Sequence, residues 1–373
     1  MEEKWRFLEM DVPSYVDMSV TLRPAIAKAK SEGKTANTVV ICRMKEKSLG
    51  ISYYSDSMKD VDIKTAEKMG IDVKRLGLSG GGSVFIDDSC PLCLVYVDRN
   101  DPNLIQPDEL LMMKFLSGIA DQMSKAFEVP IRFRPLNDGE IWDMELKKWK
   151  KIIPASISGI GSAIQIGAGV QIRSTDAKIA QKIITPPAEK FVDKQIKNIE
   201  ERIGSLEGYM GEATPSVKEV SNVLKVTVEE CFGIKLVPGE LTNLEKEYIE
   251  ESRKLYDNDN WLHNRSERKF GKIGPGASKG EAVAKVPGGP LLRVTLLRKG
   301  DHLQDILFTG SLHASPVDAF KKMEDFLKGI KLNPNEVKAK AKEFYKDSNI
   351  KTPMITYDFV ANTIFNAAEN SRQ

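Results

Sequence analysis

Residues 74–87 read Lys74-Arg75-Leu76-Gly77-Leu78-Ser79-Gly80-Gly81-Gly82-Ser83-Val84-Phe85-Ile86-Asp87. The three consecutive glycines fall between two strand-like segments, Asp72-Val73-Lys74-Arg75 and Ser83-Val84-Phe85. Glycine inside a regular element costs about 0.5–1 kcal/mol relative to alanine, so such a run needs a compensating reason: positive φ, or a backbone that lies against something. With Lys74 and Arg75 just upstream, an anionic or carboxylate-bearing ligand is one candidate, because freed N–H groups and cations act on the same charge. A glycine-rich hairpin turn with no ligand is the other, and both stay open at this point. Two common phosphate loops do not fit. A P-loop ends in Gly-Lys-Ser/Thr, whereas Gly82 is followed by Ser83-Val84-Phe85. A dinucleotide fingerprint opens a helix, whereas Val84-Phe85 continues as strand.

The rest of the chain bounds the function. Its 373 residues, 41% hydrophobic and 29% charged, describe a globular protein long enough for one large and one small core. A formal charge of +2 is too small to mark a polyanion binder, so no nucleic-acid partner is expected. No apolar run reaches the roughly 18 residues that cross a bilayer, and Met1-Glu2-Glu3-Lys4-Trp5-Arg6 lacks the apolar core of a secretion signal. These features predict a cytoplasmic protein without a membrane partner. Four cysteines make no disulfide framework. Cys90-Pro91-Leu92-Cys93 as a zinc site would need two further ligands, and His263, His302 and His313 are all distant, so the pair reads as structural. So few histidines also disfavour a Ser-His-Asp triad and paired-histidine metalloenzymes.

Periodicity predicts a helix over 14–30, a strand over 37–43, a short helix over 62–69 and a hydrophobic strand over 92–97. Pro107 opens a helix whose stripe includes Leu111, Phe115 and Ile119. Residues 131–172 read as several strands around the cluster Lys147, Lys148, Lys150 and Lys151, which on its own is a solvated turn. Helices follow over 177–184, 188–201, 214–231 and 242–256. Residues 261–280, rich in glycine and cations, read as a linker. A hairpin over 291–309 turning at Lys299-Gly300-Asp301, with helices after Ser315-Pro316 and Asn333-Pro334, implies a compact α/β unit over 281–373.

Ser79-Gly80-Gly81-Gly82-Ser83-Val84-Phe85, followed by Asp87, resembles the signature of the lipoate-protein ligase A family within the biotin/lipoate protein ligase superfamily. Asn137-Asp138 falls where the family has its Asn-Asp pair. Arg202-Ile203-Gly204-Ser205-Leu206 is similar to its Arg-Val-x-x-Leu element, and Trp261 also matches. Residues 306–310 and 323–329 resemble the C-terminal accessory domain of many of these ligases. The departures are specific. Leu76 and Gly77 replace the family's arginine pair, Ile86 its histidine, and Ser89-Cys90 its Gly-Asn. Pro154 replaces the glycine after the catalytic lysine, and Ile166-Gly167-Ala168-Gly169 stands where His-His-Gly is expected.

The resemblance implies an α+β fold: a mixed-sheet biotin/lipoate ligase-like catalytic domain over 1–260, a linker over 261–280, and a smaller α/β accessory domain over 281–373. It implies an ATP-dependent ligase that forms lipoyl-AMP and passes the lipoyl group to a lysine of an acceptor domain, of the 2-oxoacid dehydrogenase E2 or glycine cleavage H protein type. ATP, Mg²⁺ and lipoate are the implied cofactors and substrate. Lys151 takes the catalytic lysine's place, with Lys150 as the neighbouring alternative. Lys74, Arg75, Ser79, Gly80, Gly81, Gly82, Ser83, Asp87, Asn137 and Asp138 would bind ATP and the acyl-adenylate, Asp138 also Mg²⁺. Lys74 and Arg75 precede the missing arginines by two residues, an offset that preserves side-chain facing in a strand. Two alternatives remain: an octanoyl or lipoyl acyltransferase using Cys90 as nucleophile, and a binding module whose eroded motif has lost its chemistry.

Overall fold

The computed structural model describes residues 3–77, 80–102, 104, 107–135, 137–174, 177–185 and 202–371. Among these, the strands are β1 (Glu3–Ser14), β2 (Thr38–Glu46), β3 (Ser48–Ile51), β4 (Asp72–Arg75), β5 (Val84–Ile86), β6 (Leu92–Asp98), β7 (Ile131–Arg134), β8 (Asp138–Asp143), β9 (Lys148–Ile160), β10 (Ala163–Gly169), β11 (Ile234–Pro238), β12 (Ala277–Lys285), β13 (Leu291–Lys299) and β14 (His302–Gly310). The helices are α1 (Tyr15–Val20), α2 (Leu22–Ser31), α3 (Ile63–Lys68), α4 (Asp108–Phe127), α5 (Ala177–Ile183), α6 (Leu206–Met210), α7 (Val217–Phe232), α8 (Asn243–Tyr256), α9 (Asp259–His263), α10 (Ala319–Leu327), α11 (Pro334–Phe344) and α12 (Tyr357–Asn370).

Eight strands form one mixed sheet in the order β11-β1-β2-β6-β10-β9-β8-β7. β1 runs parallel to β2 and β11, and the other neighbours are antiparallel. Because side chains alternate along each strand, the sheet has two distinct faces. On one, α4 and α7 bury Phe115, Ile119, Leu224 and Val228 against Val95, Ile164 and Ile166. On the other, α1 and α2 bring Val16, Leu22 and Ile26 against Val40, Leu94 and Tyr96. The single helix expected over 14–30 divides at Thr21, since Pro24 has no N–H for the carbonyl of Val20. β1 has no counterpart in the sequence reading because its apolar residues change phase at Phe7-Leu8, both buried. The helix expected over 188–201 lies outside the described residues.

β4, β3 and β5 form a small sheet with β3 in the centre. β12, β13 and β14 form a third, packed by α10, α11 and α12 around Val294, Phe308, Phe320, Val337 and Ile364. The stretch 261–280 departs from the linker expectation. Arg265 is buried, ion-paired with Glu324 of α10, and donates to the Phe308 carbonyl at 2.9 Å; Lys269 Nζ reaches Glu324 at 2.8 Å, and β12 already begins at Ala277. Arg265 and Lys269 are internal fasteners, a role that composition does not distinguish from solvation. Further buried polar contacts tie the C-terminal unit to the segment after β3. Tyr54 donates its hydroxyl to the Val317 carbonyl at 2.6 Å, the Gly310 amide donates to the Tyr54 carbonyl at 2.9 Å, and Arg293 pairs with Asp60 at 3.1 Å.

Candidate functional site

The glycine loop is not a hairpin turn, because β3 lies between β4 and β5. Residues 76–77 and 80–83 therefore lie over the C-terminal end of β3, where Leu76 N–H donates to the Ile51 carbonyl at 2.9 Å and Ser52 Oγ donates to the Gly81 carbonyl at 2.7 Å. The C-terminal unit closes over this arch: Gly81 N–H donates to the Leu312 carbonyl at 2.8 Å. A Cβ on Gly80 would stand 2.7 Å from that carbonyl oxygen, and Gly81 has φ +91° with the His313 imidazole 2.9 Å from where its Cβ would be. Two glycines thus answer a close backbone approach and a left-handed conformation. Gly82 meets nothing within 4 Å. Ser79 lies outside the described residues, and Ser83 is half-buried at the start of β5.

Lys74 and Arg75 are not directed to this arch as anion ligands. Lys74 Nζ sits among carboxylates, 3.0 Å from Asp257, 3.4 Å from Asp72 and 3.9 Å from Asp17. Arg75 is fully buried and spends its guanidinium on main-chain carbonyls: Ser52 at 3.1 Å, Tyr53 and Ser55 at 2.8 Å, and Leu262 at 2.8 Å. A planar fork with five donors suits such a carbonyl cage. Facing is preserved, as the two-residue offset requires, but the space is already taken by chain. Asp87 is also held internally: it accepts from Ser89 N at 2.9 Å and Ser89 Oγ at 2.6 Å, with Gln171 Nε2 at 3.3 Å. Gln171 N–H in turn donates to the Ile152 carbonyl at 3.0 Å, which links this corner to β9 next to Lys151.

Lys151, Asp138 and Asn137 come together at the β8–β9 ladder. A register shift between Gly139 and Glu140 sets Lys151 opposite Glu140 and Pro154 opposite Asp138. The Lys151 ammonium, partly exposed, forms an ion pair with the Asp138 carboxylate, and Asn137 Nδ2 donates to the Ala155 carbonyl at 2.8 Å. Lys151 is fixed on its other side by Arg202-Ile203-Gly204, through Lys151 N to the Arg202 carbonyl at 2.9 Å and Gly204 N to the Lys151 carbonyl at 2.8 Å. The motif near Arg202 therefore braces the lysine strand. Lys150 pairs instead with Asp143 at 2.7 Å. Among the described residues, no hydrogen bond or ion pair joins Lys151 to the glycine arch. The Asp138 carboxylate is engaged by a lysine, and the described residues hold no cluster of three or more His, Cys, Asp or Glu able to ligate a metal, so a protein-built Mg²⁺ site at Asp138 does not fit.

No family model matches the chain. Over 70% of its length it is 23% identical to the octanoyltransferase LipM of Moorella thermoacetica, covering 99% of that protein. Over 69% it is 24% identical to lipoate-protein ligase A subunit 1 of Thermoplasma acidophilum, covering 95% of it. The solved bipartite ligase of Thermoplasma acidophilum, described with its E2 lipoyl domain, matches with a TM-score of 0.59 at 23% identity over 70% of this chain and 96% of that one. A lipoate-protein ligase A bound with ATP gives 0.56 at 20% identity over 70% and 99%. LipL1 of P. falciparum in complex with lipoate gives 0.70 at 14% identity over 97% of this chain and 99% of that one. This chain is a divergent relative of the lipoate-protein ligases. The match to LipL1 extends over 97% of the chain and so takes in the C-terminal unit, whereas the other matches named here cover about 70% of it.

Against that ligase background, the cysteines are uniformly poor nucleophiles. Cys42, Cys90 and Cys93 are buried, and Cys231 is partly so. Burial, reinforced by the Asp87 carboxylate, drives the Cys90 thiol well above its ordinary range, and burial raises Cys42 to about 12. A thiolate needs the opposite surroundings. The sequence reading passed over a buried polar group under α2. Arg23, 3% exposed, donates from Nε to Gln165 Oε1 at 3.0 Å and from Nη2 to Ser156 Oγ at 3.4 Å. The signal was legible: Arg23 lies four residues after Ser19 and seven after Val16, on the stripe that faces the core. Among the described residues, no helix is long and apolar enough to cross a membrane.

Proposed function

We propose that the protein is an ATP-dependent lipoate-protein ligase. The reading rests on one contrast: a partly exposed lysine ammonium fixed by Asp138 on a strand braced from both sides, beside cysteines that burial keeps protonated. In the first step a carboxylate oxygen of the acid attacks the α-phosphorus of ATP, the bond to the bridging oxygen breaks, and pyrophosphate leaves. In the second, the amine of an acceptor-domain lysine attacks the acyl carbonyl, loses a proton and displaces AMP. Lys151 neutralises charge on the carbonyl and phosphate oxygens as it develops, the kind of fixed charge worth about 10²–10³ in rate. Asp138 positions that ammonium, and Asn137 holds the edge of β9. Gly82 and Ser83, on the open part of the arch, offer main chain to the adenylate. Mg²⁺ would travel on the nucleotide phosphates, since the described residues offer it no ligand cluster. The acceptor is a lipoyl domain, as the relative described with its E2 lipoyl domain suggests.

The test is incubation with ATP, Mg²⁺, lipoate and apo-lipoyl domains of the E2 and H protein types, read by intact mass and AMP release. An added lipoyl mass that requires ATP, persists in Cys90→Ala and disappears in Lys151→Ala supports the ligase. Labelling from an acyl carrier without ATP, lost in Cys90→Ala, supports the transferase reading instead.

A further inference from the structure

At the β7–β8–β9 corner of the large sheet, Ile131 and Ile141 point into the core beneath α4. The side chains that alternate with them share the opposite face: Arg132 and Arg134 on β7, Asp138, Glu140 and Trp142 on β8, and Trp149 and Lys151 on β9. This is the face on which the Lys151–Asp138 pair forms, and apart from Glu140 these residues are exposed or partly exposed. Charge here is ordered in depth. Glu140 is 4% exposed and accepts from Arg132 Nη2 at 2.8 Å and Arg134 Nη1 at 3.0 Å, while the two arginine side chains stay 50% and 61% exposed. With the anion inside and the cations outside, the surface that a partner meets is positive. Apolar surface lies beside it. Trp142 and Trp149 meet edge to face at 5.3 Å, the Arg132 guanidinium stacks 4.0 Å from the centre of the Trp149 ring, and at the β8–β9 turn Met144 and Leu146 are left 65% and 46% exposed. Tryptophan, arginine and methionine in one surface patch are the composition of a protein interface.

The chemistry of the neighbouring lysine names the occupant. Lys151 lies one strand spacing, about 5 Å, from Glu140 and two residues, about 7 Å, from Trp149. An amine carried by a protein domain can attack a carbonyl held at Lys151 only if that domain rests close beside it. Two other approaches are occupied. α1 and α2 bury the inner strands of the same face, and the C-terminal unit lies against Gly80 and Gly81 through Leu312 and His313. The β7–β9 corner is open and adjoins Lys151 directly.

We propose that this corner, with Arg132, Arg134, Trp149 and the Met144–Leu146 tip, is the docking surface for the acceptor domain, which presents an acidic face around its target lysine. This rests on the ligase reading above and specifies how its protein substrate is recognised. The experiment uses the full chain with apo-lipoyl domains of the E2 and H protein types. One readout is the acceptor's dissociation constant, by fluorescence anisotropy of the labelled domain; the other is lipoyl-adenylate formation from ATP, Mg²⁺ and lipoate with no acceptor present. Arg134→Glu, and Met144→Ser combined with Leu146→Ser, are each expected to weaken acceptor binding about 10-fold while the adenylate forms at an unaltered rate. Arg134→Lys, which keeps the charge, retains most of the affinity. Added salt weakens binding by the unaltered chain more than by Arg134→Glu. Unchanged acceptor affinity in both altered proteins, or no acceptor binding by the unaltered chain, overturns the proposal and leaves the ligase reading standing wherever the adenylate forms. Self-association of the chain that the Met144 and Leu146 substitutions abolish assigns the tip to a second copy and also overturns it. No adenylate from the unaltered chain overturns the ligase reading, and with it this choice of occupant.

Discussion

The two faces of the large sheet are built from the same strands and differ in what they tolerate. Under α4 and α7 every inward residue of β6 and β10 is apolar: Cys93, Val95, Val97, Ile164, Ile166 and Ala168. One residue away in register, under α1 and α2, the same strands present Tyr96 and Gln165, and β9 adds Ser156 and Ser158 beside Asp138. Polar groups buried without partners lower stability, and these two strands place theirs, Tyr96 Oη and Gln165 Nε2, on the α1–α2 face, the face that the proposed lysine–aspartate pair shares. The comparison breaks most visibly in the scaffold. Phe115→Ala on the apolar face is expected to cost about 3–5 kcal/mol in chemical denaturation, with any activity loss at low temperature tracking the unfolded fraction. A loss of activity in that variant while it remains folded would remove the distinction between the faces.

On the other face the expected effect moves from stability to rate. Lys151→Ala should lower acyl transfer by about 10²–10³ with a change in unfolding free energy within about 0.5 kcal/mol, as befits a partly exposed ion pair. Asp138→Asn should retain more activity than Lys151→Ala, since it orients the ammonium without removing it. Equal losses in the two variants, measured by intact mass, would mean that the pair acts as a unit.

Much of this division was legible in the residues. Helical periodicity located α4 and α7, each of which buries an apolar stripe, and continuous apolar runs located β2 and β6, which are covered on both faces. The lysine on β9 and the Asn-Asp pair were singled out by the family resemblance alone, and the structure pairs the Lys151 ammonium with the Asp138 carboxylate. What failed shares a cause: the sequence reading assigned charge to solvent or ligand. Arg75 and Arg265 instead satisfy carbonyls and a carboxylate inside the protein, and only tertiary packing reveals that. The glycine run was correctly singled out as a close approach, yet the approaching group at Gly80 and Gly81 is the chain's own Leu312-His313.

That contact yields the next prediction, on the seam between the ligase fold and its C-terminal unit. Gly80→Ala pushes a methyl toward a backbone oxygen 2.7 Å away, and neither atom can rotate aside. It is expected to destabilise by about 1–3 kcal/mol and to appear first as faster hydrogen exchange at residues 310–313. Gly82→Ala, which meets open space, should be near neutral for stability. If the two alanines behave alike, the seam is not what requires these glycines.

The smallest expected effect concerns the outer helix of the polar face. Glu245 lies on the first turn of α8, where burial alone would raise its pKa, but the bidentate Arg6 fork and the Thr242 cap overcome that and hold it below the ordinary carboxylate value. A depressed folded-state pKa means that the contribution is fully present above the unfolded value of about 4.3 and is lost as pH falls through the folded one. Glu245→Gln keeps the shape and exchanges a charged acceptor for a neutral one, so stability at pH 7 should fall by about 1 kcal/mol, and the acid limb below about pH 4.3 should flatten. Because Arg6 has this carboxylate and Arg23 has none, the same measurement on Arg23→Met should show no such change in the acid limb. A matching change there would mean that a carboxylate of the chain itself neutralises Arg23, and the two arginines would then be doing the same structural job.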